Sequence, residues 1–198
     1  MPARIRIATE ADAREIAAIY APVVATTAIS FELDPPPESE MAARVRGTLE
    51  RFPWLVCERD GEVVGYAYAT KHRERWAYQW CAETSAYIRA DGRRGGVGRA
   101  LYAALLRILA AQGLRNVYAG ITLPNPASVG LHEAVGFSPV GVYRNIGYKL
   151  GAWHDVGWWQ LALKERSREP EEPVPLPAMP ASSDWPALLS TGQPMIRD

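Results

Sequence analysis

The sequence predicts an α/β (α+β) fold, a mixed β-sheet with helices on both faces. Short β-branched and aromatic runs of strand length are interleaved with stretches whose apolar residues recur every three or four positions. A loop rich in glycine and arginine joins one such strand to one such helix. Ile5 and Ile7 alternate with Arg4 and Arg6, as in a short strand, and Thr9 with Asp12 resembles a capping box with Asp in place of Glu. A helix with Ile16, Ile19 and Tyr20 on one face follows, Asp34-Pro35-Pro36-Pro37 breaks the chain, and a second helix carries Met41, Val45 and Leu49. Trp54 to Glu58 and Val63 to Thr70 read as a hairpin around an Asp60-Gly61 turn. Glu83 to Arg89 is another strand, broken by Asp91-Gly92-Arg93-Arg94-Gly95-Gly96-Val97-Gly98. Leu101, Ala104, Leu105, Ile108 and Leu109 mark a helix ending near Gly113. A strand from Asn116 to Ile121, a helix from about Pro126 to Val135 and a hairpin from Pro139 to Leu163 complete the order.

At 198 residues the chain has room for one substantial domain. Its 22 Lys+Arg offset 22 Asp+Glu, so there is no basic footprint for a nucleic-acid partner. No run approaches the roughly 18 apolar residues of a membrane span, and no signal-peptide stretch follows the N-terminus. The expectation is a soluble, cytoplasmic protein. Cys57 and Cys81 lack metal-ligand or disulfide spacing and read as buried free thiols; no metal is expected. Seven of the 16 prolines fall between Pro170 and Pro194, where neither helical nor strand period is visible. The folded domain is therefore placed at residues 1–166. The remainder, 167–198, is a Pro-rich tail, disordered or docking on a partner subunit, ordered only where Trp185, Leu188 and Leu189 find a surface.

A Gly/Arg loop at a helix start suits an anion, because unpaired backbone N–H groups and the positive helix end point the same way. The helix contributes only about 0.3 to 1 kcal/mol per charge, so several amides and an arginine must act together. Gly96-Val97-Gly98 is followed by Arg99-Ala100 and not by the Lys-Ser/Thr of a P-loop, and Leu101 stands where the dinucleotide fingerprint needs a small residue. Arg93-x-x-Gly96-x-Gly98 instead matches the acyl-CoA pyrophosphate motif of the GNAT N-acetyltransferases. The motifs Trp76-Ala77-Tyr78-Gln79-Trp80, Ala82-Glu83-Thr84-Ser85-Ala86-Tyr87-Ile88, Leu123-Pro124-Asn125-Pro126, Leu131-His132-Glu133-Ala134-Val135-Gly136-Phe137 and Gly147-Tyr148-Lys149 through Trp153-His154-Asp155-Val156-Gly157 resemble the phosphinothricin acetyltransferase family within it. The likeness spans about residues 4–163 and omits the tail.

That resemblance implies a twisted mixed sheet whose two central parallel strands splay apart around acetyl-CoA, and a homodimer. It implies that Ala86, Tyr87 and Ile88 pair with the pantetheine arm, that Arg93, Arg94, Gly95, Gly96, Val97, Gly98 and Arg99 cradle the pyrophosphate, and that Asn125 with Ser128 holds the arm near the thiol. Arg89 joins the same arginine cluster. By the same resemblance Glu83 is the general base on the acceptor ammonium, although a strand-end glutamate is usually just solvated. Carboxylates near 4.3 and amines between about 8 and 10 are far apart for direct proton transfer, so a relaying water is expected. His132 is expected as general acid for the departing thiolate or as a second base. Arg73, Glu74, Arg75, Tyr78, Thr84 and Ser85 are expected to bind the acceptor, one arginine clamping an α-carboxylate. Lys71 and His72 depart from the family's usual residues. Trp153, Trp158 and Trp159 are read as pocket wall, dimer interface or core. The implied activity is direct transfer of acetyl from acetyl-CoA to the α-amine of a glutamate- or methionine-like amino acid such as phosphinothricin, methionine sulfoximine or methionine sulfone. The rival readings are acetylation of a protein N-terminus or polyamine, and a non-catalytic acyl-CoA sensor.

Overall fold

The computed structural model describes residues 3–165, 167–181 and 184–197. Strands β1 (Arg4–Ile7), β2 (Trp54–Arg59), β3 (Glu62–Lys71), β4 (Cys81–Ile88), β5 (Asn116–Leu123), β6 (Ser138–Lys149) and β7 (Ala152–Ala162) form one sheet in the order β1-β2-β3-β4-β5-β7-β6. Among the described strands only β4 and β5 run parallel. Helices α1 (Ala13–Thr26) and α2 (Glu38–Leu49) cover one face; α3 (Val97–Ala111) covers the other, with α4 (Pro126–Ala134) beside it. No helix among the described residues is long and apolar enough to cross a membrane.

Burial on both faces explains why β2 reads as an unbroken apolar run. Trp54 and Val56 pack under α1 and α2 while Leu55 and Cys57 pack under α3. The hairpin turn is as the sequence predicts, with Asp60 at φ 52° and Gly61 at φ 84°, the paired positive values of a two-residue turn. Asp12 accepts the Thr9 N–H at 2.7 Å, but its carboxylate also takes both Arg6 Nη atoms, at 2.8 and 2.7 Å, and one 3₁₀ turn precedes α1. Cys57 is fully buried and Cys81 only partly so.

In this single chain the described part of the tail is ordered, and Trp185, Leu188 and Leu189 find their surface on the chain's own core. It folds back on its own chain through a 3₁₀ turn at Leu176–Ala181, helix α5 (Trp185–Ser190) and a further turn at Gln193–Met195. Leu176, Met179 and Leu188 are buried in the α3-side core, with Trp185, Leu189 and Ile196 packed against it. Main-chain bonds fix the start: Val174 N–H donates to Gln112 O at 2.7 Å and Leu176 N–H to Arg51 O at 3.1 Å. A proline-rich segment with no period of its own is ordered because its few apolar residues meet a surface the body already presents.

Gln112, only 2% exposed, is the joint between α3 and this segment: its Nε2 donates to Arg51 O and Val174 O, both at 2.8 Å. Gln112→Leu preserves volume and removes both bonds. It should lower stability by about 1–3 kcal/mol in urea unfolding.

Candidate active site

The central strands part immediately after they pair. The β4–β5 register holds for Cys81↔Asn116, Ala82↔Val117 and Glu83↔Tyr118 only. On its other side β4 stays bound to β3 through Ile88, opposite Gly65. From Thr84 onward β4 therefore presents a free edge. Between that edge, the N-terminus of α3 and the start of α4 lies a cavity of about 910 Å³, its wall including Ala86, Tyr87, Ile88, Asn125 and His132. A flexible ligand with its own amides can add to such an edge like a strand.

At one end of the cavity is the Gly/Arg loop. Gly96 caps α3 with φ 80°, and a Cβ there would lie 2.0 Å from the Met195 carbonyl oxygen, so glycine is required twice over. Arg94 also has positive φ, 65°. Ala100 N–H closes the first helical bond onto Gly96 O. The amides of Val97, Gly98 and Arg99 ahead of it are first-turn donors with no intrahelical acceptor. Arg93, Arg94 and Arg99 are exposed, and none has a carboxylate partner among the described residues. Arg89 does not belong with them. Its guanidinium is taken by Asp91 at 2.7 Å and Glu62 at 2.8 Å.

Asn125 has two relations to this wall. Its Oδ1 accepts the Ser128 N–H at 3.1 Å and caps α4, and the residue also lines the cavity. Ser128 O in turn accepts His132 Nδ1–H at 2.8 Å, leaving Nε2 to accept from the Tyr102 hydroxyl at 2.7 Å. His132 is 5% exposed, and burial holds its imidazole below the ordinary value, partly offset by the Ser128 bond. Both ring nitrogens are thus occupied, and Tyr102, which Nε2 meets, is itself fully buried. This geometry suits a neutral, positioning histidine better than a direct proton donor.

Glu83 sits at the last paired position, on the α1/α2 face. Its Oε1 accepts from His72 Nδ1 at 2.9 Å and from Arg73 Nη1 at 3.2 Å; Oε2 takes no bond among the described residues. The contact between His72 and Glu83 is one that sequence reading missed. Its ring stacks on Tyr118 (centroids 4.5 Å apart) and meets Trp158 and Tyr78 edge-on. The available signal was register: Glu83 pairs with Thr70, two residues before His72, so the end of the hairpin strand returns the histidine to the carboxylate. Arg73 also donates to His72 O at 2.9 Å and lies 5.8 Å from the Trp158 ring.

The other expected acceptor residues divide. Ser85 shares the Glu83 face, opposite Tyr68, and Tyr78 borders His72. Thr84 does not: strand alternation turns it to the opposite face, 4% exposed, where its hydroxyl donates to Tyr118 O at 3.4 Å. Glu74 points to solvent, paired with Lys71 at 2.9 Å, and Arg75 is exposed with no carboxylate partner among the described residues. Of the tryptophans, Trp158 joins the site, Trp159 is core and Trp153 is 62% exposed beside Tyr148. Burial pushes the Cys57 thiol up to about 11 and raises Cys81 as well, so neither supplies thiolate near neutrality. No group of three or more His, Cys, Asp or Glu among the described residues is arranged to hold a metal.

A family model described as an acetyltransferase (GNAT) domain matches residues 5–158. A phosphinothricin N-acetyltransferase of Streptomyces viridochromogenes is 42% identical over 159 residues, 80% of this chain and 87% of that protein. An L-methionine sulfoximine/L-methionine sulfone acetyltransferase of Pseudomonas paraeruginosa is 39% identical over 168 residues, 82% of this chain and 96% of its own. A crystal structure of a GNAT phosphinothricin acetyltransferase from Sinorhizobium meliloti in complex with acetyl-CoA superposes with a TM-score of 0.83 at 37% identity, covering 88% of this chain and 96% of that one.

The His132 environment sets a pH dependence. A histidine whose folded pKa lies below its unfolded value of about 6.5 binds protons more readily unfolded, so stability falls as pH drops below that value. Urea unfolding at pH 7 and pH 5 should show this loss, and His132→Gln should reduce it.

Proposed function

We propose, for a chain that belongs to the GNAT acetyltransferase family, that it acetylates the α-amine of a small glutamate- or methionine-like amino acid such as phosphinothricin, methionine sulfoximine or methionine sulfone. Acetyl-CoA is the acyl donor and supplies the activated acetyl group. The cavity fits it: amide donors at the α3 start, three arginines without carboxylate partners among the described residues, a left-handed glycine where a side chain would collide, and an open strand edge leading toward Glu83.

The observation that carries the acceptor reading is Arg73 standing 3.2 Å from Glu83 beside the point where the strands part. An α-amino acid bears its ammonium and carboxylate on one carbon. Recognising both takes a cation and an anion side by side. Arg73 uses only Nη1 on Glu83 and His72 O, which leaves the rest of its fork for the acceptor carboxylate. Glu83 Oε2 is the free acceptor for the amine proton, directly or through one water, while His72 fixes Oε1. The amine then attacks the thioester directly, without an enzyme-bound acyl group, in keeping with the two raised thiols. His132 and Tyr102 hold the cavity wall.

A homodimer belongs to the same proposal. Edge strand β6 exposes Val140, Val142, Tyr143, Ile146 and Tyr148 along its length, with Leu150 and Trp153 across the turn. An apolar sheet edge of this kind calls for a cover, and a second copy suits it by self-complementarity.

Glu83→Gln should lower kcat about 10²- to 10⁴-fold while leaving acetyl-CoA binding nearly intact, measured by thiol release and calorimetry. Arg73→Ala should raise the acceptor KM about tenfold or more for amino acids and leave a decarboxylated amine unaffected. Equal activity on amino acids, peptides and polyamines would overturn the acceptor class. Val142→Glu should shift the sedimentation coefficient from dimer to monomer.

A further inference from the structure

The family match ends at residue 158, yet the cofactor cavity has a further wall made by residues beyond it. Pro194, Met195 and Arg197 line the same space as the Gly/Arg loop. The segment reaches that place by a series of anchors. Leu188 of α5 is buried against the α3-side core, and the Gly192 backbone lies so close to α3 that a Cβ there would stand 1.9 Å from Ala100 O. Gln193 Nε2 donates to Ala3 O at 2.9 Å. Arg197 N–H donates to Gly95 O at 2.9 Å, and Arg59 Nη2 donates to Arg197 O at 2.7 Å. The Met195 carbonyl rests on the open side of Gly96.

Two structural roles are compatible with a segment in that position, a plug or a wall. A plug would set acceptors on the amides that an anion uses. This segment instead bonds the loop through a loop carbonyl, Gly95 O. Among the described residues, no backbone acceptor from the tail meets the N–H of Gly96, Val97, Gly98 or Arg99. The Arg197 side chain is exposed at the cavity and has no carboxylate partner among the described residues. It stands as a fourth arginine beside Arg93, Arg94 and Arg99.

We propose that the segment 192–197 is a built-in part of the cofactor site, holding the phosphate loop in its left-handed conformation and lending Arg197 to a phosphate group of CoA. Met195 O against Gly96 and the Arg197 N–H bond to Gly95 O join tail and loop backbone to backbone, and Gly192 against Ala100 fixes the tail to the first turn of α3, so the tail restrains the loop before the cofactor arrives. A preformed cradle loses less conformational freedom on binding. The zero net charge of the chain also makes local arginine count, and not overall field, the source of attraction for a polyanion.

The test uses the full chain, Arg197→Ala, Arg197→Glu and a chain ending at residue 191. Titration calorimetry measures the dissociation constants of CoA and dephospho-CoA, with the urea midpoint of each variant as a folding check. Arg197→Ala should weaken CoA binding about threefold to tenfold, Arg197→Glu more, and the shortened chain by about tenfold or more, the charge effect shrinking as salt is added. If Arg197 meets the 3′-phosphate, dephospho-CoA abolishes the difference between wild type and Arg197→Ala. If it meets the pyrophosphate, the difference persists, and either result supports the assignment. Unchanged dissociation constants in well-folded variants would make the tail simple packing, and tighter CoA binding on shortening would make it a plug. Both results overturn the proposal. If the shortened chain fails to fold, the two Arg197 variants decide.

Discussion

Everything at the site depends on how little of β4 and β5 is paired. Three register positions, ending at Glu83, hold the parallel neighbours β4 and β5 together. Beyond them β4 is satisfied on one side by β3, and β5 on one side by β7. Unpaired backbone in a sheet interior is costly unless something replaces the missing strand. In the function proposed for this chain that replacement is the amide-bearing arm of acetyl-CoA. The same divergence puts Glu83 at the apex, where the last strand-to-strand bonds end and the cavity begins.

Charge is arranged on a smaller scale than composition reveals. The chain sums to zero, but the balance is uneven from place to place. Arg89, near the loop, is neutralised by Asp91 and Glu62. Arg93, Arg94 and Arg99 stay exposed at the cavity. Arg73 is tied to Glu83 by one nitrogen only, which keeps the carboxylate oriented and the rest of the fork open. Adjacent opposite charges of this kind match the paired charges of an amino acid more closely than either residue would alone.

Much of the fold was legible because its elements are locally consistent. The Asp60-Gly61 turn, the α3 apolar face and the strand that carries Glu83 follow from turn chemistry and periodicity acting over a few residues. The Gly/Arg loop was legible for the same reason, since glycines at fixed offsets ahead of a helix report backbone geometry directly. His72 was not. It lies 11 positions before Glu83, and only the antiparallel register, which places Thr70 opposite Glu83, brings the two together. Thr84 shows the same ground: adjacency in the motif suggests a shared role with Glu83, whereas the strand's alternation sends the two side chains to opposite faces.

By itself the sequence determined the order of helices and strands, the Gly/Arg loop ahead of α3 and, through its motifs, the resemblance to one acetyltransferase family. These are properties of short windows, in which each residue's preference acts on its immediate neighbours. The tertiary structure alone decided which residues meet Glu83, that His132 is enclosed by Ser128 and Tyr102, and that the tail packs on α3. The tail shows the reason most plainly. Its own apolar content is too sparse to order it, but Leu176, Met179 and Leu188 need only complete a core that other residues have already built. Burial depends on both partners in a contact, and a window of sequence contains only one of them.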